Sequence, residues 1–221
     1  MPIVFRDRTE AGRLLARELK AYENSTNVKV LGIPRGGVPV AYEIALQIHA
    51  PLDVFIVRKL GVPGQEELGF GAIASGGIRF LDDEIVKAVG ISELEIELIA
   101  ATEGQELARR ERAYRGGRPR LKVEGQIVIL VDDGIATGSR MRVAINALRQ
   151  LKPAQIVVAI PVAPDSTCRR LRPEIEDLIC LHMPESFYAI GEFYEDFSQV
   201  SDQEVTDALR RSVREPDKNI A

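Results

Sequence analysis

Apolar residues fall along this chain in two alternating rhythms. Short runs rich in β-branched residues, at 28–33, 54–57, 127–131, 156–160 and 179–181, are separated by stretches whose apolar positions recur at helical spacing. Runs this short and this continuous read as strands buried on both faces, as at the centre of a parallel sheet. Val40, Ala41, Ile44, Ala45 and Ile48 form one helical stripe, which Pro51 ends, and Met141, Ala144, Ile145, Leu148 and Leu151 form another. A shorter helix is expected over 165–171. Asp7 with Glu10 makes a capping box that opens a helix through Tyr22, with Leu14, Leu15 and Leu19 on one face. Ser201 with Glu204 opens a last helix to Val213 in the same way. Strand, turn, helix, strand is a βαβ unit, and such units build parallel sheets. The pattern predicts an α/β fold with a doubly wound, mostly parallel sheet, whose ligands bind beyond the carboxyl ends of the strands.

Between Leu60 and Val123 the alternation is interrupted. Gly61-Val-Pro-Gly64 and the glycine-rich stretch from Gly69 to Gly77 predict a mobile loop leading into a short hairpin. Ser92 with Glu95 is another capping box, with Ile91 and Ile96 placed as a hydrophobic staple. The helix it opens runs to Tyr114 and stops at Gly116-Gly117; its basic second half, Arg109 to Arg115, suits the helix dipole. Residues 60–122 are therefore read as a helical insertion or flap on a single domain spanning 1–221, with a frayed tail at 215–221.

Composition narrows the function classes. A 221-residue chain that is 45% hydrophobic and 28% charged has the make-up of a globular domain with a substantial core. Its net charge of −4 carries no general nucleic-acid footprint. No apolar run approaches the ~20 residues that a membrane crossing requires, and the start, MPIVFRDRTEAG, has no signal-peptide core. A cytoplasmic protein with neither membrane nor nucleic-acid partners is expected, as a homo-oligomer of which a dimer is the simplest form. Cys168 and Cys180 show no CxxC spacing and read as buried free thiols. His49 and His182 lie far apart without a third partner, and there is no HExxH, P-loop or Ser-His-Asp arrangement.

Chemistry concentrates in Ile127-Val-Ile-Leu-Val-Asp-Asp-Gly-Ile-Ala-Thr-Gly-Ser-Arg140. A buried strand ends in two carboxylates, Asp132 and Asp133, and a small-residue loop, Ala136-Thr137-Gly138-Ser139, leads into a helix. Amides at a helix start bind phosphate, because the macrodipole and the unpaired N–H groups point the same way. Carboxylates beside them accept hydrogen bonds from sugar hydroxyls or hold a hydrated cation. The combination points to a sugar phosphate.

The run VILVDDGIATGS resembles the ribose-phosphate fingerprint of type I phosphoribosyltransferases. The resemblance implies that Asp132 and Asp133 bind the ribose hydroxyls of phosphoribosyl pyrophosphate (PRPP) and that residues Ala136, Thr137, Gly138, Ser139 and Arg140 cradle its 5-phosphate. Arg140 departs from the pattern, since the family usually has Thr or Ser there. Gly32-Ile-Pro-Arg-Gly-Gly37 follows the first core strand, where the family grips pyrophosphate, which implicates Arg35, Gly36 and Gly37. Arg58 and Lys59 occupy the position of basic residues that precede a closing lid in the resembling enzymes, and the stretch from Gly61 to Gly77 fits such a lid. Phe187, Tyr188, Phe193, Tyr194 and Phe197 crowd one short segment. These rings either pack that segment onto the core or stack on a flat heterocycle. In the resembling enzymes a variable hood supplies the base-binding side chain, which implies a C-terminal hood segment at 184–197 or the insertion at 82–117 in that role, with Phe187, Tyr188 and Tyr194 as the candidate base-binding residues.

The implied activity is a Mg²⁺-dependent transfer of the phosphoribosyl group from PRPP to a nitrogen acceptor, a nucleobase, with release of pyrophosphate. Asp132, Asp133, Arg58 and Lys59 are the implied catalytic set, and Mg²⁺ is expected to ride mainly on PRPP and waters, with no direct protein ligand. Ala136 stands where 6-oxopurine enzymes of the family carry an Asp, which weighs against hypoxanthine and guanine. The alternative is a non-catalytic regulator of the same fold that senses PRPP or a nucleotide.

Overall fold

The computed structural model describes residues 4–119 and 121–214. Five parallel strands form the central sheet in the order β2-β1-β6-β7-β8: β1 (Val28–Gly32), β2 (Leu52–Val54), β6 (Ile127–Val131), β7 (Gln155–Val162) and β8 (Asp177–His182). Strand β6 shows why the arrangement is doubly wound. Its side chains alternate between faces, so Ile129 and Val131 enter one apolar layer and Val128 and Leu130 enter the other. The first layer is built with α1 (Arg8–Glu18), α2 (Gly37–Gln47) and α7 (Asp202–Arg214), and the second with α5 (Ser139–Arg149) and α6 (Asp165–Leu171). Met141, Ala144, Ile145 and Leu148 of the predicted stripe are buried in that second layer.

The helix starts follow the capping residues. Asp7 accepts the Glu10 amide at 2.7 Å, although α1 ends at Glu18 and a 3₁₀ turn at Lys20–Tyr22 replaces its expected last turn. Ser92 and Glu95 make the reciprocal box that opens α4 (Glu93–Arg115). Ser201 accepts the Glu204 amide ahead of α7. The expected tail, 215–221, lies outside the described residues.

Two expectations need correction. The run at 54–57 is not one strand: β2 ends at Val54, and Val57 already belongs to β3 (Val57–Val62) of a different sheet. Apolarity alone could not reveal the change of sheet, because Val54, Phe55 and Ile56 are buried throughout. The glycine-rich stretch is not a loop either. It forms β4 (Gln65–Ala74), which pairs antiparallel with β3 and with β5 (Ile78–Leu81). Glycine is needed in this strand, since a Cβ at Gly71 would lie 2.4 Å from the Phe80 carbonyl oxygen. A short helix, α3 (Asp83–Val89), follows; Asp82 caps it, a signal overlooked inside the irregular stretch.

The start of the described chain pairs with the segment that precedes α7. The Phe5 amide donates to Phe193 O, and the Glu195 and Asp196 amides donate to Phe5 O and Arg6 O. Phe5, Phe193 and Tyr194 pack with Val162 in a small third cluster that closes over the carboxyl end of β7. Among the described residues, no helix is long and apolar enough to cross a membrane.

Candidate active site

Asp132 and Asp133 follow β6 and are both buried, 6% and 9% exposed. The Asp133 amide donates to Asp132 Oδ1 at 3.0 Å, which fixes the turn between them. The neighbouring turn after β1 approaches so closely that only glycine fits. A Cβ at Gly36 would lie 1.9 Å from Asp133 Oδ2, and one at Gly37 would lie 2.6 Å from Val131 O and 2.8 Å from Asp132 Cα. The backbone of Gly36 and Gly37 is thereby pressed onto the acidic pair. The Pro34–Arg35 peptide between β1 and this turn is cis.

Each acid has a cation. Arg8 Nε donates to Asp133 Oδ2 at 2.8 Å, and its Nη1 donates to Ser198 O at 2.8 Å. The same guanidinium sits 4.0 Å from the Phe197 ring centroid, a cation–π distance. Tyr194 places its hydroxyl 2.6 Å from Asp133 O. Arg140 Nη1 lies 4.0 Å from Asp132 Oδ2, and its other terminal nitrogen donates to Pro34 O. Arg140 therefore ties the helix start to the turn after β1, a contact that Thr or Ser is too short to make. Burial pushes the Asp132 carboxyl up to about 7, with Asp133 adding to the effect and Arg140 opposing it.

Arg8, Gly36, Asp133, Arg140 and Phe197 line a cleft of about 710 Å³ at the carboxyl ends of β1 and β6, whereas Asp132 is not part of its lining. Six arginines surround it: Arg8, Arg35, Arg58, Arg109, Arg110 and Arg140. Acids hold several in place. Arg58 Nε donates to Glu103 of α4 at 2.6 Å, and Glu106 takes both Arg109 and Arg110 at 2.7 Å. Arg35 lies 3.8 Å from Asp202, which also accepts the Tyr114 hydroxyl at 2.6 Å. Burial first, and that hydrogen bond second, push the Tyr114 phenol up to about 12. Lys59 is placed differently from Arg58. Successive strand residues face opposite ways, and the Lys59 stem lies over Gly69 and does not line the cleft.

The loop from Ala136 to Ser139 sits at the start of α5. Gly138 takes the left-handed conformation there, at φ 81°. Thr137 Oγ1 lies 3.2 Å from Ser139 Oγ and 3.4 Å from the Ser139 amide, and the first-turn amides of α5 have no partner within the helix. A neighbouring helix braces this loop. Thr167 of α6 donates to Ala136 O at 2.7 Å, and Arg170 reaches Thr137 O at 3.4 Å.

The aromatic cluster is mostly structural packing. Phe187 stacks on Phe193 at 5.4 Å, and Tyr194 is buried between Phe5 and Phe197. Tyr188 is 84% exposed. Of the five clustered rings, Phe197 lines the cleft, whereas Phe187, Tyr188 and Tyr194 do not. Tyr114 from α4 is the cleft's other aromatic residue among those described. Sequence reasoning missed Arg8, Arg109, Arg110, Tyr114 and Asp202. Arg8 sits in an ordinary first helical turn, and the basic end of α4 already had an explanation in the helix dipole.

No three His, Cys, Asp or Glu side chains cluster as a metal cage among the described residues. The hard carboxylate oxygens of Asp132 and Asp133 suit a hydrated Mg²⁺ ion nearby, one carried mainly by phosphate oxygens and waters.

Comparisons with known proteins agree on the family. The chain is 42% identical, over 96% of its length, to two Mycobacterium tuberculosis proteins, from strains CDC 1551 and H37Rv, provisionally named phosphoribosyl transferases. It spans about half the length of these relatives, covering 48% of each. Its fold superposes on the crystal structure of TT1426 from Thermus thermophilus with a TM-score of 0.85 and 38% identity, covering 95% of this chain and 99% of that one. A structure of AQ2163 from Aquifex aeolicus shares the fold at a TM-score of 0.50 and 13% identity, covering 91% of this chain and 83% of that one. Residues 8–198 match the phosphoribosyl transferase domain, and the chain belongs to that family.

Proposed function

We propose that this protein transfers the phosphoribosyl group of PRPP to a nitrogen acceptor, a nucleobase, and releases pyrophosphate. One observation carries the reading: a buried pair of adjacent carboxylates is pressed against a glycine turn, and one of the pair, Asp133, lines a cleft ringed by arginines. A polyanionic sugar phosphate needs both features at once.

In this reading Asp132 and Asp133 accept hydrogen bonds from the two ribose hydroxyls and so fix the ring. Arg8 holds Asp133 in one rotamer before substrate arrives, so little reorganisation is left for the reaction. Cleavage of the bond at C1 leaves positive charge on the ribose, and ionised Asp132 favours that charge. The amides of Thr137 to Arg140 receive the 5-phosphate at the start of α5. Arg35 and Arg58, joined by Arg109 and Arg110 from α4, take the charge of the departing pyrophosphate. Mg²⁺ would be carried mainly by the substrate's phosphate oxygens and waters beside Asp132 and Asp133, and would supply neutralisation of phosphate charge. Tyr114 and Phe197 are the aromatic residues of the cleft among those described, while Phe187, Tyr188 and Tyr194 lie outside its lining.

The test is incubation with PRPP, Mg²⁺ and a panel of purine and pyrimidine bases, following pyrophosphate release. Turnover with at least one base is expected. Saturable PRPP binding without turnover across the panel would move the reading to a non-catalytic sensor, and absence of binding would overturn both.

A further inference from the structure

The cleft lies at the carboxyl ends of the parallel strands. At their other end, beside the edge strand β2, a second cavity of about 640 Å³ opens near Lys29, the second residue of β1, and Leu52, the first of β2. Its size is that of a small-molecule site. The walls come from the end of α2, from the segment after α4, and from α7. Leu46, Pro51 and Leu121 give it an apolar floor, and Leu46 is 41% exposed.

Charge makes this cavity more than a dent. Among the described residues, Asp53 is its only acid, and Arg115 takes both oxygens of that carboxylate at 2.9 Å. Three further cations, Lys29, Arg118 and Lys122, line the same space with no ion pair of their own among the described residues, although Asp53 also attracts Lys29. Arg118 donates to the Leu52 carbonyl at 3.1 Å and to the Leu209 carbonyl, both uncharged acceptors. Lys29 Nζ donates to the Lys122 carbonyl at 2.7 Å, again uncharged, and burial pulls its ammonium below the usual lysine range. Lys122 itself has no ion pair among the described residues. Among the described residues, four cations therefore face one carboxylate in this cavity, an excess of positive charge beside an apolar floor.

We propose that this cavity binds a small amphipathic organic anion, with an aromatic or branched aliphatic body and a carboxylate, sulfonate or phosphate head, at a site separate from the cleft. The apolar body covers Leu46, Pro51 and Leu121. The head sits among Lys29, Arg118 and Lys122 and offsets that excess of positive charge. The two cavities lie at opposite ends of the sheet, so this site is independent of the reaction proposed for the cleft.

Naphthalene sulfonate and its neutral sulfonamide are suitable probes, titrated calorimetrically into the full chain. One saturable equivalent of the sulfonate is expected, unaffected by excess pyrophosphate, with the sulfonamide weaker by about tenfold or more. Lys122→Glu and Leu46→Glu, both at exposed positions, are each expected to weaken the sulfonate by about tenfold while thermal unfolding confirms that the variants fold. The proposal is overturned by absence of saturable binding, by displacement with pyrophosphate, or by equal affinity for the two probes. Unchanged affinity in both folded variants overturns it too. A fall in self-association with Leu46→Glu, with no probe bound by the parent, assigns this face to contact between copies instead. The sulfonate–sulfonamide comparison on the parent stands even if a variant fails to fold.

Discussion

Arg8 Nε lies 2.8 Å from Asp133 Oδ2, an ion pair that joins the first turn of α1 to the end of β6 with both side chains nearly buried, 10% and 13% exposed. Removing one member of such a pair leaves the other charged and without a partner. Arg8→Met is expected to cost about 2–4 kcal/mol in urea unfolding, more than loss of a surface pair would. Combining it with Asp133→Asn should recover part of that loss, because no lone carboxylate remains. A double-mutant cycle measures the difference; strictly additive losses would show that the pair does not hold the two elements together.

Gly36 is the point where the turn after β1 touches that same carboxylate. A Cβ there would fall 1.9 Å from Asp133 Oδ2, so Gly36→Ala must move the acid, the turn, or both. Stability should drop by about 1–3 kcal/mol, and PRPP turnover by about a hundredfold, as misplaced reacting groups commonly cost. Steady-state kinetics beside a thermal melt separates the two effects. Full activity in a folded Gly36→Ala variant would rule out a fixed position for Asp133.

Asp132 should make the protein's stability fall as pH rises. Its carboxyl is raised from 3.8 to about 7 in the folded chain, chiefly by burial. Through that window the folded state keeps a proton that the unfolded state has lost, so the cost grows with pH and is complete above the folded value. Asp132→Asn is expected to be more stable than the parent by roughly 2–4 kcal/mol near pH 8, with the gain vanishing near pH 4. Arg140, which opposes the upward shift, gives a second check. Arg140→Met should move the acid limb of kcat/KM to higher pH by less than about one unit, because the arginine is half exposed.

Thr167 acts on the candidate phosphate loop from outside it. Its hydroxyl donates to Ala136 O at 2.7 Å while its methyl meets the position a Gly138 Cβ would occupy. Thr167→Val keeps the methyl and removes the bond. KM for PRPP is expected to rise about three- to tenfold with kcat little changed, as loss of uniform binding predicts. An equal fall in kcat would show that the loop is positioned for the transition state alone.

How far the sequence could be read depended on the range of the interactions involved. β1, β6, β7, α2 and α5 follow from period and apolarity, because their side chains enter the layers that the pattern implies. Asp132 and Asp133 were legible since strand, acids and loop are contiguous. Arg8 was not, because its partner is 125 residues away. The glycine-rich stretch misled because glycine marks loops and also allows close strand pairing, and Gly71 does the second. Tyr194 offered a ring to a ligand on paper, yet its ring serves the core and its hydroxyl serves Asp133 O.

The central claim is that the buried acid pair binds the ribose of PRPP. Calorimetric titration of PRPP with Mg²⁺ into the parent and into Asp133→Asn tests it directly. Saturable binding to the parent, weakened about tenfold to a hundredfold in the variant as expected for loss of a charged hydrogen bond, is the predicted result. Equal PRPP affinity in parent and folded variant would contradict it.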